Sequence, residues 1–438
     1  MSPSIATAIS AADAAGRLAS TGLPWCWLDG EAAAPGERRV SYLGVAAAVR
    51  EAQAGEASEF LLQLRETGDT VAYADGSARG FTSGWVPVFG YEYGVELLGL
   101  DPHPTDAAPA FALRLDAVLQ IDHETGERTY AGDATAANEL RAIVETDSPH
   151  VDRATASATN ASEPQWRSRD AEYLQQVEAC KAAIHRGDAY VLCLTDTAES
   201  STHNTPLELY LRLRDGGVAS RGAVVAREHR ALISASPERF LSVNGARIAT
   251  HPIKGTRPRG DTADADAALA TELASDPKER AENLMIVDLM RNDLSRVCEP
   301  GSVRVSRFLD VEQHPRVHQL VSTVEGELAF GRDVYDAIEA CFPGGSMTGA
   351  PKISAVRMLR SLEHGPRGLY SGCFGWIDDS GDAELAMTIR GIELRGDSND
   401  PAGVRAFVGA GGGITAESVA SRERDERNLK AAALLKAL

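Results

Sequence analysis

Lys254 stands between a proline and a glycine in the run His251-Pro-Ile-Lys-Gly-Thr-Arg-Pro-Arg-Gly260, in a chain that hardly uses lysine. Of 44 Lys and Arg residues only six are lysine: Lys181, Lys254, Lys278, Lys352, Lys430 and Lys436. A chain with that habit keeps lysine most tellingly where arginine cannot substitute, as where an amine must shed its proton and attack carbon. The same run also reads as the punctuation of a strand end, with Lys254 as a solvated loop charge.

Two pairs of glutamates could give such an amine a charged setting. Asp276 reads as a helix N-cap, with Pro277 in the first position and Glu279 where a capping box wants a carboxylate. Glu282 falls on the stripe shared with Met285, Ile286 and Leu289, next to the nearly apolar run Leu284 to Met290, so this helix is expected to be buried. A carboxylate there is costly without a partner, which a cation, Arg291 or a neighbouring strand could supply. Near the C-terminus Glu423, Glu426 and Lys430 fall at i, i+3 and i+7 on one helical face. That face also reads as a solvated one, laced with Arg422, Arg424 and Arg427. Two such pairs on different helices could converge on one hard cation, and magnesium prefers carboxylate oxygens supplemented by water.

Two glycine-rich runs are read as turns that open helices: Pro343-Gly-Gly-Ser-Met-Thr-Gly-Ala-Pro-Lys352 and Gly409-Ala-Gly-Gly-Gly-Ile414. Bare N–H groups at a helix start bind anions, carboxylate as readily as phosphate. Neither run has phosphate-loop spacing, because Ala350-Pro351 separates Gly349 from Lys352, and this weakens a nucleotide-binding reading. Turns that merely need positive φ would look the same.

The elements that must position these residues read as mixed helix and strand. Residues 1–150 form an expected N-terminal unit: an Ala-rich helix, strands at Pro24 to Leu28, Val40 to Leu43 and Phe111 to Ile121, and a Gly- and aromatic-rich segment from Gly84 to Gly94. Residues 131–168 carry few large apolar side chains and read as an exposed connection, with a second unit over 165–438. Tyr173, Val177, Cys180 and Ile184 predict a helix from Glu172 to Arg186, which Gly187 ends before a strand from Ala189 to Thr195. Strands from Leu232 to Val243 and Ala246 to Pro252 are joined by Asn244-Gly245, a strong hairpin signal. A two-residue turn would set Ala235 opposite Lys254 and point Glu238 to the other side of the ladder, although Pro237 cannot donate and should break that register.

A net charge of −19 argues against nucleic acid or an anionic membrane as partner, so a negatively charged small substrate needs a local positive site or a metal. No apolar run is long enough to span a bilayer and Met1 to Gly22 lacks a signal-peptide pattern, so a cytoplasmic location is expected. The cysteines Cys26, Cys180, Cys193, Cys298, Cys341 and Cys373 lie far apart with no CxxC pair, as expected of reduced, buried thiols.

Together these residues resemble the chorismate-utilising enzymes, a family that includes anthranilate synthase component I, aminodeoxychorismate synthase component I, isochorismate synthase and salicylate synthase. The resemblance runs from about Tyr173 to the C-terminus through Ser236-Pro-Glu-Arg239, Pro252-Ile-Lys-Gly-Thr256, Ala281-Glu-Asn-Leu-Met-Ile-Val-Asp-Leu-Met-Arg-Asn-Asp293, Pro343 to Lys352, Thr388-Ile-Arg390 and Gly411-Gly-Gly-Ile414. It implies an α+β fold of two large antiparallel β-sheets packed face to face, with helices outside and the active site between them. Pro-Ile-Lys-Gly-Thr and Gly187-Asp-Ala-Tyr-Val-Leu-Cys-Leu-Thr195 resemble the aminodeoxychorismate synthase branch. Anthranilate synthases usually carry alanine at the position of Lys254, and isochorismate and salicylate synthases place a water-activating lysine where this chain has Val191.

The resemblance implies that Lys254 attacks C2 of chorismate while Glu238 acts as general acid on the departing C4 hydroxyl, after which ammonia adds at C4. It implies Mg2+ held directly by Glu282 and Glu426 and through water by Glu279 and Glu423. Tyr370, Arg390, Gly411, Gly412, Gly413 and Lys430 match positions that hold the substrate's carboxylates, with Thr348 in the adjoining loop. The implied partners are chorismate, a separate glutamine amidotransferase subunit that supplies ammonia, and a downstream aminodeoxychorismate lyase. Amination at C2, as in anthranilate synthesis, and a catalytically silent chorismate-binding regulatory subunit are the competing readings. Two departures stand out. His318 lies one place before the family's usual histidine position, occupied here by Gln319, so that role is not transferred. Asp215-Gly-Gly-Val-Ala-Ser220 also replaces a segment that helps bind tryptophan in relatives, so no tryptophan site is expected.

Overall fold

The central strands bury almost every side chain instead of alternating, as Trp25–Asp29, Gly84–Phe89 and Val317–Glu327 illustrate. A strand is buried on both faces only when layers cover it from both sides. Trp25 and Trp27 pack against helices, whereas Cys26 and Leu28 pack into a core shared with a second sheet. The structure, a computed structural model, describes residues 9–34, 36–66, 80–146, 162–314, 317–397 and 403–438.

Among these residues two large sheets form, and every ladder within them is antiparallel. The first, of 11 strands, runs from Gly349–Ala350 through Val191–Thr202, Val404–Ile414, Gly391–Arg395, Arg230–Ser236, Arg221–Arg227 and Trp25–Asp29 to Val40–Val45, Ala117–Asp122 and Arg128–Gly132. The second, of 10, runs from Ile253–Pro258 through Val317–Glu327, Arg247–His251, Arg239–Asn244, Ala383–Met387, Cys373–Asp378 and Gly84–Phe89 to Ala110–Leu115 and Ala48–Glu51. Leu28, Val118, Val225 and Leu232 of the first sheet meet Val86, Val88, Leu113 and Phe374 of the second in one apolar layer. The helices Ala11–Ser20, Ala134–Glu145, Pro206–Asp215 and Ala420–Ala437 cover the outer face of the first sheet. Ala57–Glu66, Pro277–Ser295 and Val334–Cys341 cover that of the second. The expected α+β fold, two antiparallel sheets face to face with helices outside, is the observed one.

Several local expectations need correction. Phe111 to Ile121 is not one strand: Ala110–Leu115 lies in the second sheet and Ala117–Asp122 in the first, with the chain crossing at Asp116. Leu232 to Val243 splits in the same way into Arg230–Ser236 and Arg239–Asn244, crossing at Pro237-Glu238. Ala235 therefore pairs with Gly222 and not with Lys254. The hairpin after it turns through Gly245-Ala246, since Asn244 pairs with Arg247. Residues 131–168 are not all exposed connection: Asp133 caps the helix Ala134–Glu145, which buries Ala137, Leu140 and Val144, and Gln165–Trp166 joins the first sheet. What is left of that connection, 147–161, lies outside the described residues and holds the expected boundary. Strands from both 1–150 and 165–438 enter both sheets. The helix Pro277–Ser295 is only partly buried, with Leu284 turned to solvent. All six cysteines are free and buried, and no helix among the described residues is long and apolar enough to cross a membrane.

The loop that was read as an anion-binding turn, Pro343 to Lys352, spends its lysine on the fold. Lys352 Nζ donates to Asp293 Oδ2 at 2.6 Å and to the Cys341 carbonyl at 2.8 Å, joining two helix ends with both side chains almost fully buried. Removing one partner of such a pair leaves the other charge buried alone. Lys352→Met is expected to destabilise the fold by roughly 3–5 kcal/mol, read as a lower urea midpoint, and Lys352→Met with Asp293→Leu to recover most of the loss. Equal midpoints for wild type and Lys352→Met would rule this out.

Candidate active site

Lys254 reaches its position through a fault in its ladder. Ile253 pairs with Val321 and Thr256 with Gln319, so the strand Ile253–Pro258 carries one more residue than its neighbour. Gly255, beside the lysine, takes φ +84°, and a Cβ there would come within 2.8 Å of Leu273 Cδ1. A bulge with a left-handed glycine turns a side chain out of the ladder. It delivers Lys254 to a small cavity also lined by Val191, Cys193, Glu282, Ser346 and Gly413.

Glu238 arrives from the strand that changes sheets. Pro237 cannot continue a ladder, and at the crossing Glu238 N–H donates to Ser236 Oγ at 3.3 Å while its carbonyl accepts from Met387 N–H at 3.0 Å. Burial pushes the Glu238 carboxyl up; Lys254, a hydrogen bond from Ser346 and Lys430 draw it back, and the balance leaves it above the usual carboxylate range.

Glu282 and the pair Glu423 and Glu426 approach the glycine strand from two helices. Glu282, on Pro277–Ser295, reaches the cavity and has Lys278 Nζ 3.7 Å away on the preceding turn. Burial raises it, with Glu279 and Glu423 adding to the rise and Lys254 and Lys278 opposing it. On Ala420–Ala437, Glu423 Oε2 and Glu426 Oε1 would lie 3.3 and 3.5 Å from a Cβ on Gly412. Burial and the neighbouring Glu426 raise Glu423, against a hydrogen bond from Ser418. Burial also works on Glu426, but Lys430, at 2.6 Å, outweighs it and holds that carboxyl below its ordinary value. Glu279 stands apart: its Oε1 is 3.3 Å from Arg257 and its side chain does not close the expected capping box, since Asp276 alone accepts from Lys278 N–H and Glu279 N–H.

The donors suit a hard cation. All four are carboxylates, and the absent side chain of Gly412 leaves bare backbone where two of them converge. As the side chains stand, no three His, Cys, Asp or Glu among the described residues form a ready metal cage. Lysines Lys278 and Lys430 already partner Glu282 and Glu426.

Gly409 to Ile414 is not a turn but the end of the strand Val404–Ile414, with Gly411, Gly412 and Gly413 opposite Thr195, Leu194 and Cys193. Gly411 and Gly409 are required by close approach rather than by φ: a Cβ on Gly411 would fall 2.1 Å from the Leu194 carbonyl oxygen, and one on Gly409 would fall 2.1 Å from Tyr370 Cγ. Lys430 Nζ donates to the Gly411 carbonyl at 2.9 Å. Tyr370 lines a second small cavity with Thr388, Arg367 and Gly409, and burial raises its phenol. Arg390 is exposed and holds a left-handed φ of 53°, a strained conformation for arginine. Thr348 is buried, its hydroxyl donating to the Gly344 carbonyl at 3.2 Å, and lies outside the cavity wall. Lys254, Glu238, Glu282, Glu423, Glu426, Gly411 to Gly413 and Lys430 are thus gathered, while Thr348, Tyr370, Arg390 and Glu279 stand around them. His318 is engaged elsewhere, its Nε2 2.8 Å from Asp266 Oδ1.

Sequence reading missed Ser346, Cys193 and Lys278. Only Lys278 carried a usable signal, its i, i+4 spacing to Glu282. Ser346 and Cys193 are brought in by a loop and a neighbouring strand.

The family described as chorismate binding enzyme matches residues 30–436. Aminodeoxychorismate synthase of Streptomyces griseus is 39% identical over 380 residues, covering 82% of this chain and 50% of that protein. Anthranilate synthase component 1 of Arthrobacter globiformis is 42% identical over 283 residues, covering 64% of this chain and 52% of that one. The chain thus spans about half the length of these curated relatives. The crystal structure of anthranilate synthase component I from Streptococcus pneumoniae TIGR4 superposes with a TM-score of 0.78 at 26% identity, covering 91% of this chain and 92% of that one.

The glycine strand makes a sharp contrast testable. Gly411→Ala drives a methyl into a backbone oxygen and should cost roughly 1–3 kcal/mol in chemical denaturation, whereas Gly412→Ala meets only the ends of the Glu423 and Glu426 side chains, at 3.3 and 3.5 Å, and should cost clearly less. Equal midpoints for the two variants would contradict this account of the strand.

Proposed function

The chain belongs to the chorismate binding enzyme family, and from that premise we propose that it aminates chorismate at C4, converting chorismate and ammonia into 4-amino-4-deoxychorismate and water. The observation that carries the reading is Lys254, an amine turned by a glycine bulge into a cavity with carboxylates beside it. In the proposed reaction the neutral Lys254 Nζ bonds to C2, both ring double bonds shift by one position, and the C4–O bond breaks as Glu238 hands its proton to the departing hydroxyl, which leaves as water. Ammonia then bonds to C4 and returns a proton to Glu238, both double bonds shift back, and the C2–N bond breaks to release the lysine amine. What supports Glu238 as the acid is its burial, which favours the protonated form. Lys430 and the bare N–H groups around Gly411 to Gly413 would hold a substrate carboxylate, with Tyr370 and Arg390 at the second one.

Glu282 and Glu426 would hold Mg2+ directly, with Glu279 and Glu423 acting through water, and the ion would neutralise the ring carboxylate. We assign the supply of ammonia to a separate glutamine amidotransferase. Glutamine-dependent turnover by the purified chain alone would refute that assignment.

With chorismate, magnesium and ammonium the purified chain is expected to form 4-amino-4-deoxychorismate, and Lys254→Ala to lose nearly all of it, as read by mass and retention. Anthranilate in its place would mean amination at C2, and no turnover would mean a silent binding subunit. The pH profile follows from Glu238. A general acid must be protonated, so the rate should fall as pH rises through a carboxyl lifted above its usual range by burial. Glu238→Gln should remove that limb and lower kcat by roughly 10²- to 10⁴-fold.

A further inference from the structure

The two glutamates proposed as direct magnesium ligands are each paired with a lysine four residues away on their own helix. Lys278 Nζ lies 3.7 Å from Glu282 Oε1, and Lys430 Nζ lies 2.6 Å from Glu426 Oε1. In a chain with six lysines, two placed in this way deserve a physical account. Glu282, Glu423 and Glu426 approach one patch of bare glycine strand and repel one another, and a positive charge must offset that repulsion whenever no cation is bound.

The two lysines are not equivalent. Lys430 is also tied to the Gly411 carbonyl at 2.9 Å, so it keeps a partner if Glu426 turns to a cation. Lys278 is tied to Glu282 by charge alone, its amine making no side-chain hydrogen bond among the described residues, and its side chain is 56% exposed. An amine 3.7 Å from a carboxylate of a cation site competes with that cation for the same charge.

We propose that Lys278 is the internal counter-ion of Glu282 in this carboxylate site, offsetting its charge without metal and being displaced from it when a divalent cation enters. The proposal rests on the reading that these carboxylates hold magnesium. The site then trades some metal affinity for stability of the empty form. Lys278 is a positioning residue in this account, since it acts on the ligands and not on the reacting atoms.

The test titrates the full chain, stripped of metal by chelation, with magnesium chloride. Wild type, Lys278→Met and Lys278→Arg are compared by calorimetry and by thermal midpoint. Removing the competing charge should tighten magnesium binding in Lys278→Met by roughly fivefold, while Lys278→Arg, which keeps the charge, should stay near wild type. Without metal, Lys278→Met should melt below wild type, and the gap should close as magnesium is added. Unchanged or weaker magnesium binding in Lys278→Met, or equal tightening in both variants, would overturn the proposal while leaving the metal reading intact. If the wild type takes up no magnesium by either method, the metal reading fails and this inference falls with it.

Discussion

Like charges held close together in partly dry surroundings are the constraint on which the rest of this molecule depends. Glu238, Glu282, Glu423 and Glu426 come from three separate stretches of chain, and burial presses every one of them towards its neutral form. Carboxylates gathered in this way are tolerated only with cations among them. Three of the six lysines, Lys254, Lys278 and Lys430, supply that charge. The proposed chemistry draws on the same opposition, because burial raises the Glu238 carboxyl while Lys254 draws it back.

Holding that arrangement demands rigid walls, and the two sheets provide them through three departures from regular geometry. The chain changes sheets at Pro237-Glu238, leaving Glu238 between the layers. A bulge at Lys254-Gly255 turns the amine off its ladder. A glycine strand lets Leu194 and Tyr370 approach the backbone where any side chain would collide. Bulges and bare backbone of this kind are costly in an ordinary sheet and are kept where a site needs them.

Arginine does different work. Arg427 is fully buried, 3.0 Å from Asp196 and stacked within 4.1 Å of the Trp166 ring centroid. Arg367 pairs with Glu363 at 2.6 Å and caps the Met347 and Cys193 carbonyls, bracing the loop and strand that carry Ser346 and Cys193 to the cavity. A planar guanidinium with several donors can satisfy many acceptors in a core, whereas a lysine offers one mobile charge. The division of labour between the two basic residues therefore follows their geometry.

Much of this was legible in the sequence because it is local. The rarity of lysine singled out Lys254, cap and spacing rules placed Glu282, Glu423, Glu426 and Lys430 on helices, and the ordered motifs matched a fold of two face-to-face sheets. The failures share one cause. Phe111 to Ile121 and Leu232 to Val243 each look like one strand, since apolar runs do not record which sheet receives them, and only packing divided them at Asp116 and Pro237. Gly409 to Ile414 reads as a turn because glycine signals freedom, while the structure uses it for close approach between neighbouring strands. The sequence by itself thus determined the chemistry available and the helical faces that carry it. Tertiary structure alone decided which charges meet, because contact between Glu238, Ser346, Lys254 and the two helices depends on sheet crossings and a bulge that no local spacing encodes.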